Sequence, residues 1–309
     1  MQQGSSILLS QKFRAGRGKL AVLTTLFNPV GSARIVQNMR EFIGTIKADI
    51  FVAEMVYGRD FELPANEHWL RVRGHDQQVL WQKERLLNLL LSKLPAEYTD
   101  VAWIDGDLYF KNVDWIRHAQ QALLNHQVVQ LYEKVHRLDQ NGGIFLSQEG
   151  MVKYIKNNHI SGPESARGSC GFAWAARREV LDALRLLDTE VLGDADLMML
   201  AAFFGHCDPR EFGFELTERW GTHVKRWTDL AFKLIGGEVG YVPGEIVHMY
   251  HGPMTSRSYV GRRKCLRDNN FDPATDIRSS TNGAWEWATD KPNLHQAVKA
   301  YFVDRNDDN

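Results

Sequence analysis

Asp100-Val101-Ala102-Trp103-Ile104-Asp105-Gly106-Asp107-Leu108-Tyr109-Phe110 is the stretch on which the fold turns. Four apolar residues in a row run into a core, and two carboxylates follow where the chain comes out again. Unpaired charge is costly to bury, so an Asp-Gly-Asp there marks a strand end at the edge of a core. Upstream, Lys19 to Phe27 is another short apolar run, closed by the turn signal Asn28-Pro29-Val30-Gly31. A helix capped by Ser32 is expected over residues 32–46, and a second strand over 48–57. Residues 61–73 contain Pro64 and read as an edge strand or hairpin. Residues 76–94 repeat leucines at helical spacing, with Asp76 as a cap and Pro95 as a stop. A helix over 115–124 and a strand over 127–132 follow. This alternation predicts an α/β fold with a largely parallel sheet.

The second half is more mixed. It reads as a strand over 171–176, helices over 178–187 and 194–204, and a last strand over 245–250. A basic helix over 258–267, a loop over 270–276 and a helix over 294–305 complete it, with a fraying tail at 304–309. The expected organisation is an N-terminal segment (1–18), a catalytic body (19–252) and a C-terminal extension packed on it (253–309).

Composition narrows the class. Across 309 residues, 37 Lys and Arg face 38 Asp and Glu, for a net charge of −1, which argues against a polybasic nucleic-acid protein. Cys170, Cys207 and Cys265 are widely spaced, so neither a disulfide framework nor a zinc knuckle is expected, and a reducing compartment fits. The longest uncharged apolar run, Leu197 to Phe204, is far short of a membrane span. The expectation is a cytoplasmic protein.

Three clusters could carry chemistry. Asp105 and Asp107 offer hard oxygen ligands for Mg²⁺ or Mn²⁺ bridging a diphosphate, and the same triplet can be a solvated turn. His248 and His251 lie at the end of the last strand and could add nitrogen ligands. If that strand continues, alternation sends them to opposite faces, so one should matter more than the other. They could equally be surface or capping histidines. Gly252 allows close approach to a phosphate, and Arg257, Arg262, Arg263, Lys264 and Arg267 follow with no acid among them. Such a run is also what a solvated helix face looks like. Asp194 reads as a helix cap, and Asp196 in the first turn either complements the helix dipole or acts as a general base.

Taken in order, these residues resemble the metal-dependent glycosyltransferases of the GT-A fold, most closely a phage- and bacteria-type group. The likeness runs over about residues 20–305. It rests on Leu80-Trp-Gln-Lys-Glu-Arg-Leu-Leu-Asn88, Trp103 to Phe110 followed by Trp115, Gly171 to Arg177, and Gly193-Asp-Ala-Asp196 with Met199. His248 to Gly252, Phe271-Asp-Pro273, Gly283-Ala-Trp285-Glu-Trp287 and Tyr301-Phe302 continue it.

The resemblance implies a Rossmann-like catalytic domain with a helical extension. It implies Asp105 and Asp107 as the metal-binding pair, with Asp105 on the donor ribose or a metal-bound water, and His248 or His251 completing the shell. Thr24, Thr25, Phe27, Asn28, Glu54, Lys83 and Arg85 would contact the donor, with Gly252 and Arg257 on its diphosphate. Asp196 would be the base of an inverting reaction, with Asp194 as the other candidate, and Trp174 would stand near the acceptor entrance.

The implied reaction moves a sugar from a nucleotide-sugar, a UDP-sugar first, to an acceptor hydroxyl. The acceptor could be a hydroxymethylated base of phage DNA, tracked by Arg177, Arg178, Arg219, Lys225 and Arg226 with Trp220 or Trp227 stacking on it. Saccharide, lipid-linked or protein acceptors are the alternative. A metal-dependent nucleotidyltransferase, which releases pyrophosphate, and a silent sugar- or nucleotide-binding protein are readings of another class.

Overall fold

The computed structural model describes residues 18–160, 162, 167–212, 214–257 and 261–308. The first half runs β1 (Lys19–Phe27), α1 (Ala33–Thr45), β2 (Asp49–Tyr57), β3 (Leu70–Gly74), α2 (Lys83–Lys93), β4 (Tyr98–Ile104), β5 (Leu108–Phe110), α3 (Trp115–Ala122), β6 (Val128–Gln130), β7 (Lys134–Leu138), β8 (Ile144–Glu149) and α4 (Met151–Asn158). The second runs β9 (Ala173–Arg177), α5 (Arg178–Leu184), α6 (Ala195–Phe203), α7 (Glu218–Ile235), β10 (Val239–Tyr241), β11 (Glu245–His248), α8 (Gly261–Asp268), α9 (Pro273–Asp276), β12 (Ile277–Ser279), β13 (Trp285–Trp287) and α10 (Pro292–Asp304).

Seven strands form the central sheet in the order β10-β6-β9-β4-β1-β2-β3. β4, β1, β2 and β3 are parallel, and β9 runs antiparallel between β4 and β6. This is the mixed, largely parallel α/β class that the strand–helix alternation predicts. Alternation along β1 divides the core in two. Ala21 and Leu23 pack with α2, α5, α6, α7 and the C-terminal residues, whereas Leu20, Val22 and Leu26 pack with α1 and α3.

A second sheet, β5-β11-β7-β8, hangs off the ends of the first. It begins where the chain leaves β4 at Gly106 and turns into β5. β11 then pairs antiparallel with β5 and parallel with β7. Neither the β7–β8 hairpin nor the long helix α7 stands out in the sequence. In α7 the buried residues Trp220, Val224, Thr228, Ala231 and Ile235 are interleaved with charges.

Several expectations are corrected. The helix over 76–94 is broken: residues 76–78 form one 3₁₀ turn and α2 starts only at Lys83. Tertiary bonds intervene, because the Trp81 amide donates to the Val191 carbonyl at 2.9 Å and Gln82 is claimed by the Trp285 carbonyl at 2.7 Å. Asp76 caps nothing there and pairs with Lys299 at 2.8 Å. The helix after β9 stops at Leu184, where Arg185 turns to φ 59°. Of the basic helix, residues 258–260 lie outside the described residues, as does all of the N-terminal segment but Gly18.

Trp220 is wholly buried and cannot stack on a base, and Trp174 is core, stacked on Trp103 and bonded to the Cys170 carbonyl. As far as Asp308, the last described residue, the tail does not fray: Asp307 is buried, and Asp308 accepts from the Ser32 hydroxyl at 2.7 Å and the Arg34 amide at 2.9 Å. Among the described residues, no helix is long and apolar enough to cross a membrane.

The Trp220 indole donates to Glu190 at 2.9 Å, deep in the core. Burial pushes that carboxyl up to about 7, so the folded state prefers it protonated. The unfolded chain releases the proton near its ordinary value. Glu190 therefore costs stability progressively as pH rises from about 4.3 to about 7. Glu190→Gln keeps an acceptor for Trp220 and removes the ionisation. Its melting temperature should match wild type at pH 4.5 and exceed it at pH 8, and equal melting curves at both values would refute the assignment.

Candidate active site

The parallel strands β1 and β4 lie side by side and end at Phe27 and Ile104. Ligands of open α/β sheets bind beyond such strand ends. Here the ends open on a cleft of about 720 Å³. Thr25, Phe27 and Asn28 line it, as do Lys83, Asp105, Asp107, Asp194, Asp196, His248, His251, Gly252 and Arg257. Asn28 closes the turn, its side chain exchanging bonds of 2.9 Å with the backbone of Ser32. Phe27 stands edge-on to Trp81 and Phe302, giving the cleft an aromatic wall.

Three expected donor contacts are elsewhere. Thr24 points into the core, as strand alternation requires with Thr25 in the cleft. Glu54 is buried on β2 and accepts from the Glu62 and Leu63 amides, so it fixes a loop. Arg85 lies on the far side of α2, over the Trp285 ring, bonded to the Gly283 carbonyl and Ser279.

The Asp107 carboxylate and the two imidazoles converge. Asp107 Oδ2 is 3.0 Å from His251 Nε2 and 3.5 Å from His248 Nε2, and the two nitrogens are 3.0 Å apart. The expected divergence of the histidines is overturned. β11 ends at His248 and the Met249 amide bonds the Asp107 carbonyl at 2.8 Å, so strand alternation no longer governs His251, whose ring comes back to that of His248.

These three residues alone, among the described ones, form a cluster suited to a metal ion. Asp107 Oδ1 is buried without a hydrogen-bond partner, an expensive position for a carboxylate oxygen unless a cation meets it. Burial pushes His248 down to about 4 against the pull of Asp107, leaving a neutral imidazole with a lone pair. Burial raises Asp107, but charge and hydrogen bonds from both imidazoles outweigh it and hold it well below the usual carboxylate range. An ionised carboxylate and a neutral imidazole are the states a divalent cation needs. The donor set fits the ion.

Asp105 stands apart from this triad. Its carboxylate takes the Lys83 ammonium at 2.9 Å, and Lys83 also reaches Asp196 at 3.5 Å and Glu84 at 3.6 Å. Burial opposes the Lys83 charge, but these three acids overcome it and hold the ammonium well above its ordinary value. Lys83 thus ties the end of β4 to the start of α6. Asp194 does something the sequence hides. It adopts φ 82° at the cap position but makes no capping bond. Instead its carboxylate is clasped by Arg262 and by Arg263, the latter at 2.8 Å. The basic run therefore does meet an acid, sixty-eight residues upstream.

The other unforeseen member is Asp307. It pairs with Arg257 at 3.1 Å and Arg305 at 3.2 Å and lies 3.6 Å from His251 Nδ1, behind the nitrogen that faces Asp107. The tail is seated so closely that a Cβ on Gly252, at φ 91°, would stand 2.5 Å from the Asn306 carbonyl. A terminal Asp-Asp in a polar tail carries no sequence signal for this.

Because both imidazoles face one carboxylate oxygen, His248→Ala and His251→Ala should each weaken Mn²⁺ binding by at least about tenfold, the low end even for residues behind a metal ligand. Isothermal titration with MnCl₂ checks this. Affinity unchanged in either variant would remove that histidine from the site.

No protein-family description matches the chain, and no curated protein sequence does. Solved structures resemble it at low similarity. Glucosyl-3-phosphoglycerate synthase from Mycobacterium tuberculosis, in complex with Mn²⁺, UDP and phosphoglyceric acid, is 12% identical, covering 84% of this chain and 81% of that one, with a TM-score of 0.36. A structure described as a mycobacterial protein is 12% identical over 88% and 83%, with a TM-score of 0.41. The 4-diphosphocytidyl-2C-methyl-D-erythritol synthase of Anaerococcus prevotii is 9% identical over 74% and 88%, with a TM-score of 0.33. Likeness at this level carries no argument about what this chain does.

Proposed function

We propose that this protein is a metal-dependent glycosyltransferase that moves a sugar from a nucleoside diphosphate sugar, a UDP-sugar first, to an acceptor hydroxyl with inversion. The observation that carries the reading is the convergence of Asp107, His248 and His251 at the end of β4, in a cleft with a separate carboxylate, Asp196. Bound by that triad, Mn²⁺ would neutralise the charge that develops on the departing diphosphate. Two nitrogen ligands favour it over Mg²⁺, which prefers an all-oxygen shell.

The chain's own residues do the rest. Phe27 and Trp81 offer aromatic faces for the base, and Arg257 lies beside the metal ligands to meet diphosphate oxygens. Asp196, held by Lys83, would take the acceptor proton. Asp105 stays on Lys83, within reach of a ribose or a metal-bound water. We divide the chain into a catalytic body, 19–252, and an extension, 253–309, that delivers Arg257, Arg262, Arg263 and Asp307 to the cleft.

A DNA acceptor loses part of its support. Arg177 bonds the Leu123 and Leu124 carbonyls, Arg178 bonds that of Leu94, Lys225 pairs with Asp229, and Arg219 with Asp272. Arg177 and Arg178 thus brace the fold, whereas Arg219 and Arg226 stay exposed and Lys225 pairs within its own helix.

The test is thermal shift with UDP. A ligand at one hundred times its Kd stabilises by about 2.7 kcal/mol. UDP with Mn²⁺ should raise the melting temperature and UDP with EDTA should not, and equal shifts would refute the metal-dependent donor site. A nucleotidyltransferase shares the strand-end carboxylate but releases pyrophosphate, so assaying turnover for nucleoside diphosphate against pyrophosphate separates the two.

A further inference from the structure

The cleft's basic side chains are matched by carboxylates, with one exception. Lys83 meets Asp105 and Asp196, Arg262 and Arg263 meet Asp194, and Arg257 and Arg305 meet Asp307. Arg137 meets no carboxylate among the described residues. Its guanidinium lies 4.8 Å over the Phe172 ring, and its Nε is buried without a hydrogen-bond partner. A donor left in that state is costly, and the cost disappears when an acceptor fills it.

The surroundings are built. Arg137 lies on β7, in register with His248 on β11. Phe172 holds φ 79°, rare for a bulky residue, while its carbonyl accepts from the Asp105 amide at 2.8 Å and its ring packs 4.8 Å from that of His248. The strained residue fixes an aromatic seat for the guanidinium beside the metal ligands. Arg137 also lines a second cavity of about 340 Å³, with Leu138, Asp139, Phe145, Tyr250 and Met254, where the Asp139 carboxylate accepts from the Asn141 and Gly143 amides. That cavity reaches His248, His251 and Gly252 but includes none of the β1-end residues assigned to the donor.

We propose that Arg137, seated on Phe172, is the recognition point for an oxyanion of the acceptor, so that the acceptor is a small hydroxy compound bearing a phosphate or a carboxylate. The planar fork of a guanidinium pairs two oxygens of either group. A cavity of this size has room for a small acid. The proposal rests on the glycosyltransferase reading and names its acceptor class.

The test uses the full chain with Mn²⁺ and saturating UDP, so that the donor site is filled. Sulfate, standing for a phosphate, and malonate, standing for a carboxylate, are titrated at constant ionic strength by calorimetry. Wild type should bind at least one of them, and Arg137→Gln should lose at least about tenfold in that affinity. UDP affinity and melting temperature should stay near wild type. Arg137→Lys, which keeps charge but not the fork, should fall between.

Sulfate preference assigns a phosphate-bearing acceptor, and malonate preference a carboxylate-bearing one. Three results overturn the proposal: equal oxyanion affinity in wild type and Arg137→Gln, a tenfold loss of UDP affinity in the variant, or tight binding of a single-stranded oligonucleotide whose salt slope drops by about one in the variant. If UDP with Mn²⁺ does not bind wild type at all, the donor reading fails instead. The same titration without UDP then still decides whether Arg137 holds an oxyanion.

Discussion

Replacing Asp107 by Asn should abolish Mn²⁺-dependent stabilisation by UDP and lower turnover by at least about 10²-fold. The size of the effect follows from the geometry. Asp107 is the only carboxylate in the triad, its Oδ2 lies within 3.5 Å of both imidazole nitrogens, and its Oδ1 is buried without a partner. Asn keeps the shape and supplies one oxygen but no charge, so the cation loses its anionic ligand and the diphosphate its counter-charge. The fold should tolerate the change, since the Met249 amide bonds the Asp107 backbone carbonyl and not the side chain. EDTA should reproduce the loss in wild type. Full turnover in EDTA, or in Asp107→Asn with metal present, would end the metal mechanism.

Asp196→Asn should reduce turnover by about 10²- to 10⁴-fold, the usual contribution of a general base, with UDP affinity and melting temperature close to wild type. Lys83 would keep Asp105 at 2.9 Å, so its charge stays matched. Asp194→Asn should do the reverse. Removing the charge that Arg262 and Arg263 share breaks a largely buried ion pair, a loss of about 3–5 kcal/mol of stability. Melting curves and single-turnover rates on both variants separate the roles. A catalytic loss in Asp194→Asn without a fall in stability, together with an active Asp196→Asn, would transfer the base to Asp194. The anomeric configuration of the product, read by NMR, is an independent check, because a retained centre needs neither base.

The β-strand framework was legible because apolar runs are local signals. Lys19 to Phe27 and Tyr98 to Ile104 announce buried strands, and the Asp-Gly-Asp after the second marks where it leaves the core. The helix over 76–94 was half legible. Its leucines are periodic, but periodicity does not show that Trp81 and Gln82 make long-range bonds with Val191 and Trp285. Trp220 and the arginines at 177 and 178 were misplaced for a related reason, since residue type alone does not tell a surface group from one bonded inside.

What the sequence determined by itself was the class of the fold, the strand end that carries Asp107, and the residue types able to hold a metal. Those follow from hydrophobic pattern and ligand chemistry, which act over a few neighbouring residues. Only the tertiary structure decided which groups meet. The turn after β11 brings His251 round to His248, Asp194 faces two arginines from α8, Lys83 gathers three acids, and a polar tail places Asp307 behind the His251 imidazole. Each of these pairings except Lys83 with its neighbour Glu84 depends on a turn or on packing between segments, and charges find partners by distance in space, which spacing along the chain does not encode.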